Sequence, residues 1–207
     1  MDFQYYGGNC VRISVKNASF VIDDNLKDLG AKSIIKPEDV ALYTVLPDKP
    51  AEARLVITDP GEYEVSEVSI FGIAARSHMD EAGQKSATIY KLHYEDTRVA
   101  ILGHIYPDLT EDQLEEIGTV DILITPVGGN GYTLDGIGAL KLIKNIEPKI
   151  VIPTHYEDKD LKYEVPQAPL GDALKNMAME PKEPVSKFKP KPADYSETTQ
   201  LVVLERQ

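Results

Sequence analysis

The amino-acid sequence predicts a mixed α/β sandwich, and this prediction rests on the order of the elements along the chain. The first half is rich in strand-like segments, whereas strand and helix signals alternate from residue 110 onward. Because sheets and helices bury their apolar faces by packing in layers, this order favours a sandwich over a doubly wound parallel sheet. A length of 207 residues suits a single domain, which we expect to span residues 1–207.

The strand predictions in the first half rest on short runs of apolar residues. An alternating run is typical of a half-buried strand, and an unbroken apolar run is typical of a fully buried one. Proline, glycine and paired acidic residues separate the runs, for example at Asp59-Pro60-Gly61. The predicted strands cover residues 10–15, 19–22, 40–46, 54–57, 65–73, 87–94 and 98–102.

Three helices are predicted in the second half, with apolar strands between them. Thr110 and Gln113 form a capping-box pattern, and Gly118 is typical of a helix end. A second helix is predicted over 134–146, with Ile137 on its apolar side and Thr133 as a candidate cap. The other predicted elements are a helix over 170–177 and strands over 120–125, 150–152 and 200–204.

Charge and composition argue against several classes of partner and location. A net charge of −12 disfavours a non-specific nucleic-acid partner, because a polyanion would be repelled. No apolar stretch approaches the roughly 20 residues that a membrane helix needs. The single cysteine, Cys10, cannot form an intramolecular disulfide, and the first residues lack a basic and apolar leader. We therefore expect a cytoplasmic protein with Cys10 as a small core residue, and no oligomeric state is indicated.

Four segments carry a resemblance to a known family. They are residues 6–13 (YGGNCVRI), 59–65 (DPGEYEV), 121–129 (DILITPVGG) and 147–156 (EPKIVIPTHY). In order and spacing, the chain resembles the small zinc-dependent hydrolases of the metallo-β-lactamase superfamily, the branch that includes lactonase-like enzymes. The resemblance covers nearly the whole chain. It implies an αββα sandwich, in which two mixed β-sheets are flanked by helices and metals are held at one edge of the sheets.

The chain departs from that family at most of the positions that hold metals. The family hallmark is a His-x-His-x-Asp-His run, and the matching residues 44–49 read TVLPDK, so only Asp48 is kept. Thr44 is a poor zinc ligand and Leu46 has no donor atom. Lys49 stands in place of an imidazole, and its positive charge would repel a metal ion in a low-dielectric cleft.

Histidines occupy or replace the remaining family positions. His78 and His155 match metal ligands of the family, whereas His104 stands where the family has a bridging carboxylate. Gly8 replaces a further histidine, so the resemblance implies that the two-metal site is largely lost. Isolated histidines are often no more than hydrogen-bonded polar residues. The fourth histidine, His93, is predicted to lie on the surface of an alternating strand.

Three functions stay open at this point. The first is a protein that binds a small-molecule ligand or a partner in the old cleft without metal catalysis. The second is a hydrolase with one zinc ion held by His78, His104 and His155, because three imidazoles and an open fourth position suffice for a catalytic zinc. In that case Asp48 would orient the attacking water. The third is a scaffold or interaction protein with no ligand cleft.

The resemblance also implies which residues line the cleft. The glycine loop at 128–131 precedes a predicted helix, and backbone N–H groups in such a loop attract anions. A plain connecting turn explains the same glycines. The residues expected along the cleft are Gly8, Thr44, Lys49, Gly128 and Gly129.

Overall fold

A computed structural model describes all 207 residues of the chain and contains two β-sheets. The strands of the first sheet are Asp2–Gly7 (β1), Cys10–Ser14 (β2), Ser19–Ile22 (β3), Val40–Leu42 (β4) and Leu55–Ile57 (β5). They lie in the order β1-β2-β3-β4-β5. β1, β2 and β3 pair antiparallel, whereas β3, β4 and β5 pair parallel, so this sheet is mixed.

The second sheet is larger and is also mixed. Its strands are Gly61–Val65 (β6), Val68–Ala75 (β7), Ala87–Tyr94 (β8), Thr97–Ile101 (β9), Ile122–Pro126 (β10), Ile150–Thr154 (β11) and Gln200–Leu201 (β12). The seven strands lie in the order β12-β11-β10-β9-β8-β7-β6. Pairing is antiparallel from β6 to β9 and parallel from β9 to β12.

The main hydrophobic core draws on both sheets. Successive side chains of a strand point to opposite faces, so one face of each sheet can contribute to a cluster of 22 buried residues. Phe20 and Leu42 come from the first sheet, and Ile70, Tyr90 and Ile124 come from the second. Removal of this apolar surface from water is the main force that holds the two sheets together.

Three α-helices cover the other face of the second sheet. They are Glu111–Ile117 (α1), Gly136–Ile146 (α2) and Leu170–Met177 (α3). A second cluster of 20 buried residues joins them to the strands, with Leu142 and Met177 in one cluster with Leu123. The predicted fold class, two mixed sheets with helices, is therefore confirmed. No helix combines the length and the apolar character that crossing a membrane requires.

The helix ends show which local predictions hold. Thr110 accepts a hydrogen bond from the backbone of Gln113, whose side chain accepts one from the backbone of Thr110, so the capping box is confirmed. The cap of α2 is Asp135 rather than Thr133, because the helix begins two residues later than predicted. Ile137 is 65% exposed, so its predicted place on the apolar side of α2 is wrong.

The strand boundaries differ in two places. The run predicted as one strand over 65–73 belongs to a hairpin, because Ser66 and Glu67 adopt positive φ angles of 51° and 66° and reverse the chain. β1 was not among the predicted strands, although its buried residues alternate as a half-buried strand requires. Cys10 is buried with Val21 and Leu26 on the outer side of the first sheet, as expected for a core residue.

Candidate functional site

Four polar residues follow the carboxyl ends of parallel strands. Asp23 and Thr44 come just after β3 and β4 of the first sheet, and His104 and His155 come just after β9 and β11 of the second. Asp23, His104 and His155 line one cavity of ≈ 340 Å³, which we call the inner cavity. Ligands of open α/β sheets bind preferentially at this end of the strands. The fold therefore places a candidate site where the two sheets meet.

His155 is held by its backbone as well as by its ring. Its N–H donates to the carbonyl of Gly8 over 2.7 Å, and its φ angle is +52°, a left-handed conformation that histidine adopts only occasionally. The carbonyl of His155 lies so close to Gly128 that a Cβ built on that glycine would meet it at 2.0 Å. Gly128 thus allows the chain after β11 to approach the glycine loop.

The tautomer of His155 follows from its neighbours. The Gln167 amide donates to the carbonyl of Val165 over 2.6 Å, which turns its oxygen toward the imidazole. The Nδ1 of His155 lies 3.1 Å from that oxygen and therefore carries the proton. The Nε2 of His155 is left with a lone pair, so this ring is an acceptor or a ligand.

His104 packs against His155 in an edge-to-face arrangement. The two ring centroids are 4.7 Å apart at an interplanar angle of 83°, and the ring of Tyr132 lies 5.0 Å from that of His104. Burial lowers the pKa of His104 to about 3, and the proximity of His155 acts in the same direction. Burial likewise lowers the pKa of His155 to about 4. Both imidazoles are therefore neutral at pH 7.

On the first sheet, Asp23 and Thr44 bind each other. The backbone N–H of Thr44 donates to one carboxyl oxygen of Asp23 and its hydroxyl donates to the other, each over 2.6 Å. Burial raises the pKa of Asp23 to about 6, although the two bonds from Thr44 oppose the shift. A Cβ on Gly103 would lie 2.1 Å from the Thr44 hydroxyl, so this pair packs directly against the residue before His104.

Asn9 adds a free donor to the inner cavity. Its side-chain oxygen accepts a hydrogen bond from Thr154 over 2.9 Å, which fixes the amide. Asn9 is 7% exposed, and its Nδ2 has no hydrogen-bond partner among the protein atoms. The lining of the cavity therefore includes a free amide donor on Asn9 and the imidazole of His155, and protein hydrogen bonds orient both groups.

The structure brings His104 and His155 together, but not His78. The backbone N–H of His78 donates to the carbonyl of His104 over 2.8 Å. Its ring, however, lies 5.6 Å from that of Tyr106 and lines a separate side cavity with Gly129. The expected cluster of three imidazoles is therefore not formed in this arrangement of the side chains.

The expected residues of the 44–49 segment lie elsewhere. Asp48 and Lys49 are exposed, and no ion pair joins them. Lys49 lines a different depression beside Glu52, outside the inner cavity. Thr44 is 1% exposed and lies behind Asp23, so it does not line the cavity either. The reason is that the chain leaves β4 and turns outward to solvent after Thr44.

The glycines expected along the cleft support its walls instead of lining it. Gly8 is buried and accepts hydrogen bonds from His155 and Tyr5. Gly128 contacts the backbone of His155, and Gly129 lines the side cavity. Each of these positions needs the absence of a side chain more than it offers a binding group. Their prediction as cleft-lining residues is corrected accordingly.

A match to a protein-family model identifies the superfamily of the chain. A family model described as a beta-lactamase superfamily domain matches residues 2–155, which include both paired histidines. The chain belongs to the β-lactamase superfamily. Its predicted membership of that superfamily is thereby confirmed.

Two metal-dependent hydrolases are similar to the chain over short segments. The one from Carboxydothermus hydrogenoformans is 51% identical over 43 residues, which make up 21% of this chain and 19% of that protein. The one from Thermoplasma acidophilum is 45% identical over 51 residues, which make up 23% of this chain and 22% of that protein. In each case the match spans about a fifth of the relative.

Solved structures show the same architecture over a much longer stretch. A metallo-β-lactamase superfamily protein from Thermotoga maritima superposes with a TM-score of 0.75 and 24% identity, covering 99% of this chain and 98% of that one. A metallo hydrolase from Ignicoccus hospitalis gives a TM-score of 0.58 and 14% identity, covering 86% and 90%. At these identities the likeness shows the fold.

The superfamily implies metal ions, and the donor atoms of the inner cavity determine whether such ions fit there. A catalytic zinc usually takes three protein ligands. No group of three or more His, Cys, Asp or Glu side chains is close enough together to hold a metal ion. His104 and His155 supply two imidazoles, and both carboxyl oxygens of Asp23 are engaged by Thr44. The residues as arranged do not fit a pair of metal ions.

Several residues of the site were missed by the sequence-based predictions. Asn9 follows Gly8 in one of the family-like segments, and its place beside a replaced histidine was a usable signal. Asp23 directly follows the predicted strand 19–22 but was not among the predicted site residues. Gln167 and Tyr132 lie in irregular segments without any periodic pattern, and no signal in the sequence marked them.

Proposed function

We propose that the inner cavity binds a small polar molecule without a pair of metal ions, and that this binding replaces two-metal hydrolysis. The observation that carries the proposal is a cavity of ≈ 340 Å³ whose lining includes two neutral imidazoles and one unpartnered amide. Ligand cavities typically have this size and fix the ligand with a few well-placed polar groups. A scaffold protein without any cleft would not need such a cavity.

The orientation of the polar groups supports binding of an uncharged polar group. The amide of Asn9 is held by Thr154 and offers an N–H donor. The ring of His155 is held by Gln167 and offers an acceptor. A buried polar atom without a partner is costly, so a ligand atom that accepts from Asn9 would be stabilised by about 1 to 3 kcal/mol relative to leaving this donor unpaired.

The Asp23–Thr44 pair supports the absence of a metal pair. A carboxylate that ligates a metal must turn an oxygen lone pair toward the ion. Asp23 is buried, and each of its carboxyl oxygens is turned toward a donor of Thr44 over 2.6 Å. A metal ion would have to displace Thr44, which is buried against Gly103.

A second candidate is a hydrolase with a single zinc ion, and one observation favours it. The backbone of His78 is hydrogen-bonded to His104, and the Nδ1 of His78 is buried without a partner. A rotation of the His78 side chain would bring a third imidazole toward His104 and His155. The metal content of the protein separates this candidate from the proposal.

The test uses the full chain purified without chelator. Under the proposal, elemental analysis finds well below one zinc per chain, and added zinc leaves the melting temperature unchanged. A screen of small polar compounds by thermal shift then yields binders whose effect is lost in Asn9→Ala and His155→Ala but kept in His93→Ala. His93 is the matched control because it is exposed on β8.

Two results would count against the proposal. About one zinc per chain, lost in His104→Ala and in His78→Ala but not in His93→Ala, supports the one-zinc hydrolase instead. Two zinc ions per chain contradict the proposal outright.

A further inference from the structure

A second cavity adjoins the inner one. This outer cavity of ≈ 350 Å³ shares four wall residues with the inner cavity: Asn25, Asp28, His104 and Tyr132. The His104 and Tyr132 side chains therefore form part of a wall that is common to both cavities. A molecule longer than the inner cavity would extend into the outer one.

The outer cavity is the more apolar of the two. Leu46 and Met79 line it and are 65% and 69% exposed, the most exposed of the large hydrophobic side chains together with Ile137. Val45 and Pro47 complete its apolar wall. Single exposed apolar residues need no explanation, but two that border one cavity beside a candidate site indicate contact with an apolar ligand group.

The charges around the inner cavity disfavour an anionic head group. Three carboxyl groups line it, those of Asp23, Asp28 and Glu164, against the single ammonium group of Lys162. A head group that accepts from Asn9 and donates to His155 satisfies both without carrying charge.

We infer that the ligand is an uncharged amphiphile, with an amide-like head at Asn9 and His155 and an alkyl chain that crosses Tyr132 to reach Leu46 and Met79. This inference rests on the proposed function, which it makes more specific. The inner cavity determines which polar head group binds, and the outer cavity determines the length and apolar character of the ligand's alkyl chain.

The experiment is a binding series with linear primary amides from acetamide to octanamide, followed by NMR titration of the full chain. Each methylene that enters the outer cavity should tighten binding about fourfold, the factor that corresponds to the burial of one CH₂ group. Shifted resonances should include those of Asn9 and His155 for every member. Octanoate, the anionic counterpart of octanamide, should bind at least about tenfold more weakly, because it faces the three carboxyl groups.

Matched variants test whether the outer cavity causes the dependence of affinity on alkyl chain length. Leu46→Ser and Met79→Gln should remove most of the dependence on chain length while leaving the affinity for acetamide unchanged. Ile137→Ser is the control, since Ile137 is equally exposed but lies on α2, away from both cavities. All three side chains are exposed, so the variants should fold normally.

Four outcomes of this experiment would overturn all or part of the inference. Amides that bind at Asn9 and His155 without any chain-length dependence overturn the amphiphile inference and leave the proposed function intact. A dependence that Ile137→Ser weakens as much as Leu46→Ser reflects non-specific association and also overturns the inference. Octanoate binding as tightly as octanamide overturns the uncharged head group, and failure of every amide to bind overturns the inference as a whole. The zinc content judges the proposed function separately.

Discussion

The two sheets contribute opposite kinds of group to the candidate site. After β4 of the first sheet, Thr44 is buried on Asp23 and the chain then turns outward, so that Leu46 is 65% exposed. After β9 and β11 of the second sheet, His104 and His155 stay buried side by side. The first sheet has Thr44, bonded to Asp23, where the family resemblance implies a metal ligand, whereas the second sheet places two imidazoles at the site. The difference shows that one edge of the fold presents a hydrogen-bonded carboxyl group from the first sheet and two neutral imidazoles from the second.

The largest expected effect on stability concerns the close contact between Gly128 and the backbone carbonyl of His155. Gly128→Ala should lower the free energy of unfolding by about 4 kcal/mol, because the new Cβ would overlap the His155 carbonyl at 2.0 Å. Gly131→Ala is the control: no atom lies within 4 Å of its Cβ, although its φ of +75°, unlike that of Gly128, lies in the left-handed region. It should lose only about 1 to 2 kcal/mol from backbone strain. Urea unfolding measures both, and equal losses would mean that the close contact does not matter.

The loss of protein stability at acidic pH should depend on His155, the buried histidine that follows β11. An unfolded histidine takes up a proton near pH 6.5, whereas His155 in the folded state does so only at about 4. Stability is therefore lost as the pH falls from 6.5 toward 4. His155→Gln should reduce the difference in unfolding free energy between pH 7 and pH 4.5 by about 2 to 3 kcal/mol. His93→Gln should leave that difference unchanged, and an unchanged slope in His155→Gln would show that the ring is not held neutral.

Asp23, which follows β3 of the first sheet, should give the opposite dependence of protein stability on pH. Because the pKa of Asp23 is raised to about 6, the folded state holds a proton that the unfolded state has released above its own lower pKa. Stability from this group therefore falls as the pH rises from about 4 through 6, by about 2 kcal/mol in total. Asp23→Asn should abolish this fall, since an amide cannot ionise. A fall of the same size in the variant would assign the effect to another group.

The smallest effect concerns the hydroxyl that closes the Asp23 pair. Thr44→Val should lower the unfolding free energy by about 1 to 2 kcal/mol, because one buried carboxyl oxygen loses its donor. The matched control is Thr58→Val, which removes a 2.8 Å bond to Asp59 at an exposed site and should change stability by less than about 0.5 kcal/mol. Similar values for the two variants, measured by urea unfolding, would indicate that the buried Asp23–Thr44 bond stabilises the fold no more than an exposed bond does.

Local signals in the sequence sufficed for the elements that depend on neighbouring residues. The capping box at Thr110 and Gln113 was predictable because both groups lie within one helical turn. The fold class followed from the order of elements together with the family resemblance. Ile137 was misplaced because, at 3.6 residues per turn, it lies on the opposite side of α2 from the buried residues Ala139, Leu142 and Ile143.

The site was only partly predictable, for a physical reason. His104 and His155 were expected to meet because the family resemblance implies it. The position of the His78 ring depends on its rotamer and on its packing against Tyr106, which no sequence pattern encodes. The partnership of Asn9 with Thr154 joins residues 145 positions apart and arises only when the two sheets come together.

The most direct test of the central claim is anomalous diffraction at the zinc absorption edge, from crystals of the full chain grown and soaked in zinc. We expect no ordered zinc at His104 and His155, and the hydroxyl of Thr44 still on Asp23. Two anomalous peaks about 3.5 to 4 Å apart at the edge of the two sheets, with Asp23 turned away from Thr44, would contradict the account.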